Sequence, residues 1–308
     1  MKFVIITNCA KSKKFPSSEL LQGKNLFDGD LSTVTSEWVK RINNQNEHVL
    51  PAKDLYIGRS FKEIKSIKTK FDYEWYITSA GFGFISSEMK IPSYDLTVTE
   101  NSINSIISRV DNLDSLSDWF VELNMLLWGE CFPISKLVNE TKDTLFLFGL
   151  SKSYYDLIRI DLNQIKNKKN IRFFGFKNSA RLGEELNQYF LPYNLNFDGP
   201  DSDNNGIKND FPRRVLKHYV EEILSKLEEP NLENEFEMVN DYISRKKPII
   251  QRNNQKIKDD KLIIEKIKNY KEFGSNSREL LRYFRHHLGI ACEEKRFRNL
   301  YQDALSTN

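Results

Sequence analysis

A doubly wound α/β domain on a parallel sheet, followed by a small helical domain, is the fold class that three observations predict. Four short apolar runs, at 3–7, 75–77, 144–149 and 171–174, alternate with stretches of helical periodicity, the pattern of buried parallel strands joined by crossover helices. Each run ends in small or polar residues, and in a parallel sheet such ends converge on one edge. Basic charge is segregated: residues 244–300 hold 16 Lys and Arg against 7 Asp and Glu, while the remainder holds 30 against 36.

A chain of 308 residues with 39% hydrophobic content can bury one large core or two ordinary ones. No run of about 18 apolar residues is present to span a bilayer. At the amino terminus Asn8 and the lysines interrupt the apolar run too early for a signal peptide, so a cytoplasmic protein is expected. Cys9, Cys131 and Cys292 are odd in number and widely spaced, which suits neither a disulfide framework nor a zinc site. With only four histidines besides, no metal or other cofactor is expected.

The first strand, Phe3 to Thr7, leads into Asn8, Cys9, Ala10, Lys11, Ser12 and Lys13, whose amide, hydroxyl and ammonium groups suit a phosphate or sugar. No glycine pattern makes this a P-loop, and the stretch also reads as a buried structural cysteine with surface lysines. A helix follows around 32–43, capped by Ser32 or Thr33, with Val34, Trp38, Val39 and Ile42 on its apolar face. A Lys53-Asp54 pair precedes Tyr56 and Gly58, and 61–70 reads as a lysine-faced amphipathic helix.

The second strand stops at Ser79, Ala80 and Gly81, with Phe82 and Gly83 behind, a sharp turn where backbone can approach a ligand closely. Pro92, Ser93 and Tyr94 then deliver Asp95, which reads either as a site carboxylate or as a helix-capping Asp. Residues 102–112 and 115–128 both carry helical periodicity, the second with Leu116, Trp119, Phe120 and Leu123 as core. Strand 144–149 runs into Leu150, Ser151 and Lys152, and strand 171–174 into a polar loop with Lys177, Asn178 and Arg181.

Residues 191–206 are rich in Asn, Asp, Gly and Pro and read as a loop; Asp198, Asp201 and Asp203 lack the register and glutamate of a calcium loop. Helix is expected again over 211–227, and the acidic stretch 228–237 reads as the linker between a catalytic domain, 1–230, and a basic helical domain, 238–308. In the latter, 277–288 and 291–305 flank Gly289 as two helices. They resemble a helix-turn-helix arrangement, with Arg278, Arg282, Arg285, Lys295, Arg296 and Arg298 available to phosphates; the same pattern also reads as a packing element with a basic exterior. Adjacent His286 and His287 cannot share a helix face as metal ligands.

Four segments in order carry a resemblance: NCAKSKK after the first strand, AKDLYIGRSF, TSAGFGFIS after the second strand, and IPSYDLTV. Together they resemble a bacterial and phage-associated domain family with Cys-x-Lys-Ser-Lys, Ala-x-Asp-Leu-Tyr, Ser-Ala-Lys-Tyr-Gly-Leu and Pro-Tyr-Asp motifs. The match covers residues 1 to about 100. It departs where Gly81-Phe82 replaces the usual Lys-Tyr and where Ser93 separates Pro92 from Tyr94. The family is distantly similar to the uracil-DNA glycosylase superfamily, to deazaguanine-handling enzymes of tRNA modification, and to an anti-phage glycosylase that removes glucosylated hydroxymethylcytosine. What the resemblance implies is a three-layer sandwich around a central parallel sheet, and base excision from modified phage DNA.

Parallel strands bring Asn8, Ser79, Asp95, Ser151 and Asn178 together at one rim. Cleaving an N-glycosidic bond develops positive charge on the sugar, which a carboxylate stabilises while it orients water. Asp95 is the candidate for this role, and Asn8, by analogy with the superfamily, is the second. Tyr94 or Phe82 would stack on an extruded base, Asn178 and Ser79 would bond its edge or the flanking phosphate, and Cys9, Ala80, Gly81 and Ser151 complete the set of base- or sugar-binding residues. Lys11, Ser12, Lys13, Lys152, Lys177 and Arg181 would hold the backbone of double-stranded DNA. A binding protein without chemistry and a base-exchange enzyme are the alternatives.

Overall fold

The computed structural model describes residues 2–175, 182–199, 206, 208–247 and 255–306. In chain order the first unit holds β1 (Lys2–Asn8), α1 (Leu31–Asn44), β2 (Val49–Pro51), α2 (Ala52–Leu55), α3 (Arg59–Lys65), β3 (Tyr73–Ser79), β4 (Gly83–Ser86) and β5 (Lys90–Pro92). It continues with α4 (Leu116–Trp128), α5 (Pro133–Glu140), β6 (Thr144–Gly149), α6 (Lys152–Leu162), β7 (Ile171–Phe174), α7 (Gly183–Asn187), α8 (Phe211–His218) and α9 (Leu232–Ser244). Five strands form the main sheet in the order β4-β3-β1-β6-β7. All neighbours in it are parallel except β3 and β4. The β4 hairpin therefore adds an antiparallel edge where the sequence reads only as a loop. Helices α1, α4, α6 and α5 pack side by side as one layer, and α3 and α8 form the other, with α8 against β6 and β7. The fold is thus the expected three-layer α/β sandwich.

Continuous apolar runs became strands because both faces of the sheet are covered: every residue of β6 is buried, and Phe3 to Ile6 of β1 are at most 1% exposed. The tryptophans serve hydrogen bonding as well as packing. Indoles of Trp119, Trp38 and Trp128 donate to the successive carbonyls of Ala80, Gly81 and Phe82 at 2.9, 2.8 and 3.0 Å, so the turn after β3 is pinned from three helical positions. A methyl group at Gly81 would meet the Tyr94 ring at 2.7 Å, and one at Gly83, where φ is +66°, would meet Asn124 at 2.4 Å. These glycines admit neighbouring side chains, not a ligand, which corrects the expectation from their spacing.

Two helix expectations fail for local reasons. Over 102–112 only a 3-10 turn forms at Ile106–Ser108, because the segment spends its backbone groups on Thr97 and Gly29 and turns left-handed at Asn101 and Asn112. Ile106 and Val110 give the helical spacing but are simply two buried anchors. The helix expected over 61–70 starts at Arg59 and ends at Lys65, where the Ser66 hydroxyl bonds the Glu63 carbonyl.

The chain divides into compact units at Met1–Pro248 and Ile249–Asn308, not at the acidic stretch. Glu235 explains the difference: it is fully buried and forms a bidentate pair with Arg172 of β7, which binds α9 to the sheet unit. The second unit has its own core around Ile263, Leu280, Phe284 and Phe297. It holds β8 (Gln255–Lys256), α10 (Asp260–Tyr270), α11 (Ser277–His286), β9 (Ile290–Ala291) and α12 (Glu294–Ser306). A two-residue parallel ladder between β8 and β9 is the addition to its helices. Among the described residues no helix is long and apolar enough to cross a membrane.

Candidate active site at the strand ends

From β1 the sheet extends one way to β3 and the other way to β6, so the crevice beyond the carboxyl ends of β1 and β6 is the topological switch point. A cleft of about 760 Å³ opens there, lined by the loops after both strands, by 57–60, by Asp95 to Thr99 and by the start of α8. Asn8, Asp95, Ser151, Cys9, Lys11, Ser12, Lys13 and Lys152 all line it.

Asp95 is held on every side but one. Its backbone N–H and C=O bond Leu21 and Gly23, both at 2.8 Å, and its Oδ2 accepts from Asn104 Nδ2 at 2.7 Å. Asn104 is itself fixed by accepting the Lys24 N–H at 2.8 Å. The second carboxylate oxygen has no hydrogen-bond partner among the described residues. Lys13 Nζ stands 4.1 Å from the centre of the Tyr94 ring, and burial lowers its affinity for a proton against the opposing pull of Cys9 and Asp95.

Asn8 joins loops. Its Oδ1 accepts the Ser151 N–H at 3.2 Å, its Nδ2 donates to the Cys9 carbonyl at 3.0 Å, and its own carbonyl accepts from the Arg213 guanidinium. One donor and one acceptor position of the amide are thus engaged in joining the loops after β1 and β6, and Asn8 still lines the cleft. Cys9 Sγ lies 2.9 Å from the Tyr154 hydroxyl, in the first turn of α6.

The turn after β3 lies beneath the cleft, not on it. Ser79 and Ala80 are fully buried, Gly81 is buried, and Phe82 and Tyr94 are 2% and 1% exposed. Ser79 Oγ is bonded to the Tyr94 hydroxyl at 2.7 Å and accepts the Phe82 N–H at 3.0 Å; the Tyr56 and Tyr94 hydroxyls meet at 2.9 Å. Burial raises both phenols well above their ordinary range. Phe82 packs edge-on against Tyr94, so neither ring offers a face to a base. Of these residues, Tyr94 and Tyr56 lie under Lys13, whose Nζ is 4.1 and 5.7 Å from their ring centres. Asn178, Lys177 and Arg181 lie outside the described residues.

Four cleft-side residues escaped the sequence reading: Arg213, Asp210, Tyr154 and Asn104. Arg213 is 4% exposed and makes no salt bridge among the described residues; its Nε is buried without a hydrogen-bond partner. Burial lowers its pKa to about 10, so it stays charged at neutral pH. Asp210, next in the same wall, buries an unpartnered Oδ2. A signal for this wall was present: arginines in the first turn of a helix oppose its dipole, and 210–214 reads Asp-Phe-Pro-Arg-Arg.

In the second unit the basic residues differ in how far they are committed. Arg296 bonds Asp260 and the carbonyls of Ile257 and Lys258, so it ties α12 to the start of α10 and is not a free phosphate ligand. Arg285 donates to the Cys292 carbonyl at 2.8 Å. Arg278 and Arg298 share Glu294, while Arg282 and Lys295 are exposed and form no salt bridge among the described residues.

The family of unknown function DUF6884 matches residues 39–113, about a quarter of the chain. The matched segment contains Tyr56, the turn from Ser79 to Phe82, Tyr94, Asp95 and Asn104. No curated protein and no solved structure matches the chain.

Proposed function

We propose that the chain is a DNA glycosylase that hydrolyses the N-glycosidic bond of a modified base in phage DNA and leaves an abasic site. The observation that carries this reading is Asp95: one oxygen is pinned by Asn104, and the other is unpartnered in a cleft at the switch point of the sheet. As the bond from C1′ to the base nitrogen breaks, its electron pair leaves with the base and positive charge gathers on the deoxyribose. The free Asp95 oxygen stabilises that charge and takes a proton from the water that adds to C1′. The departing base takes a proton from solvent, and Asp95 returns its own to solvent, so that one water is consumed and the free base and an abasic deoxyribose are released. A pinned carboxylate needs no reorganisation as charge develops, which is the physical advantage of the Asn104 contact. The exposed cations of the second unit supply sequence-independent attraction to the duplex.

The test is incubation of the full chain with unmodified, hydroxymethylated and glucosylated phage DNA, followed by alkali to reveal abasic sites. We expect sites on glucosylated hydroxymethylcytosine DNA and a loss of about 10³-fold in Asp95→Asn. Absence of sites on every DNA overturns the reading; unchanged excision in Asp95→Asn overturns the role of the carboxylate.

A further inference from the structure

We infer that the α6 end of the cleft is a seat for one phosphate group of a nucleotide, built from Arg213 and the free N–H groups of Lys152 and Ser153. This rests on the reading of the cleft as a nucleotide site, but not on any bond being cleaved there. Two independent features meet at this end. The first is an eleven-residue helix whose N-cap, Ser151, has its hydroxyl 3.4 Å from that of Ser153 and caps no backbone N–H of the first turn. Its leading N–H groups have no intrahelical acceptor, and they lie at the positive end of the dipole. Ser151, Lys152 and Ser153 all line the cleft.

The second feature is Arg213, which lines the same cleft while nine-tenths and more of it is buried. One terminal nitrogen is held by the Asn8 carbonyl, and Phe61 lies 5.5 Å from the guanidinium carbon, so the plane of the group is fixed. Nε is left without a partner. A buried guanidinium that keeps its charge and has a free donor is costly unless an anion completes it. Asp210 acts on it electrostatically but forms no salt bridge with it among the described residues, and Asp95 acts on Lys13. A phosphate suits these donors in shape and charge: its oxygens accept from a planar guanidinium and from backbone N–H groups together. Cys9 of the loop after β1 and Tyr154 of α6 are bonded to each other, which ties this end of the cleft to the loop that carries Lys13.

Calorimetric titration of the full chain tests the seat, with deoxycytidine, deoxycytidine 5′-monophosphate, the dinucleotide d(CpC) and inorganic phosphate as probes. A phosphate-bearing probe is expected to bind at least about tenfold tighter than deoxycytidine, with the monophosphate favoured if the seat takes a terminal monoester and d(CpC) if it takes a strand phosphate. In Arg213→Met that advantage falls to within about twofold. Ser153→Pro provides a second variant: proline is tolerated in the first helical turn, and it removes one donor while leaving both cationic side chains. It is expected to lower the advantage several-fold. No phosphate advantage in the parent chain, or the same advantage in both variants, overturns the inference. Asp95→Asn is expected to retain the phosphate advantage; phosphate binding without base release on any DNA would count against the glycosylase reading alone.

Discussion

Two regions of the sheet unit each bury an arginine, and they treat its charge in opposite ways. On the β7 flank, Arg172 is 2% exposed, paired through Nε and Nη2 with both oxygens of Glu235 and bonded through Nη1 to the carbonyls of Lys169 and Ile171 at 2.7 and 2.8 Å. At the cleft, Arg213 is 4% exposed with one carbonyl contact and a vacant donor. Burial alone is therefore no guide to the role of a charged side chain. A completed pair fastens elements together, as α9 is fastened to the sheet; an incomplete one leaves a donor that a ligand can fill. The second unit presents a third condition, exposed arginines that share acidic partners and can exchange them for phosphate at small cost.

The contrast can be broken most forcefully on the flank. Glu235→Ala strands the Arg172 charge in the interior and is expected to lower stability by about 3–5 kcal/mol, read by denaturant unfolding. Next comes acid. His218, its ring centre 4.0 Å from that of Tyr242 of α9 and its Nδ1 bonded to the Tyr193 hydroxyl, has its pKa lowered to about 4 by burial. Between there and the unfolded value near 6.5 the unfolded chain binds a proton that the folded chain refuses. Stability from this residue is complete above about pH 6.5, falls as pH drops toward 4, and falls no further below; the total is about 3 kcal/mol. Thermal unfolding of the parent and His218→Gln across that window measures it, and the variant should lose this part of the acid sensitivity.

Arg213→Met sharpens the contrast from the other side. If the cleft arginine is not a fastener, its removal changes stability by no more than about 1 kcal/mol, because an apolar chain of similar length escapes the desolvation of the charge. A loss as large as that of Glu235→Ala would mean that the two arginines do the same job. The smallest expected effect lies in the second unit: Arg282→Gln and Lys295→Gln should each lower the slope of log affinity for DNA against log salt by about 1, at nearly constant stability. Arg296→Gln should instead destabilise that unit, since its guanidinium holds Asp260 and two carbonyls.

How much of the site was legible depended on the kind of information each residue carries. Asn8 and Ser151 were placed on one rim by strand ends alone, since apolar runs with polar termini determine where a parallel sheet presents its loops, whereas Asp95 reaches that rim from the segment after β5, outside the main sheet. Phe82 and Tyr94 were misread because glycines signal open backbone without saying what occupies the opening. The indoles that close over that turn come from Trp38, Trp119 and Trp128, about 40 residues away on either side. The acidic stretch before α9 reads as a linker because a glutamate in a charged run looks solvated until its arginine is found 63 positions earlier.

By itself the amino-acid sequence determined the sandwich, the strands that build it, the cationic character of the carboxyl-terminal unit and the edge where polar loops gather, because periodicity and charge runs are local properties of the chain. Only the tertiary structure decided which of those polar groups are already satisfied. Hydrogen-bond and ion-pair saturation depends on partners distant along the chain, and it is saturation that separates Arg172 from Arg213 and the pinned oxygen of Asp95 from its unpartnered one.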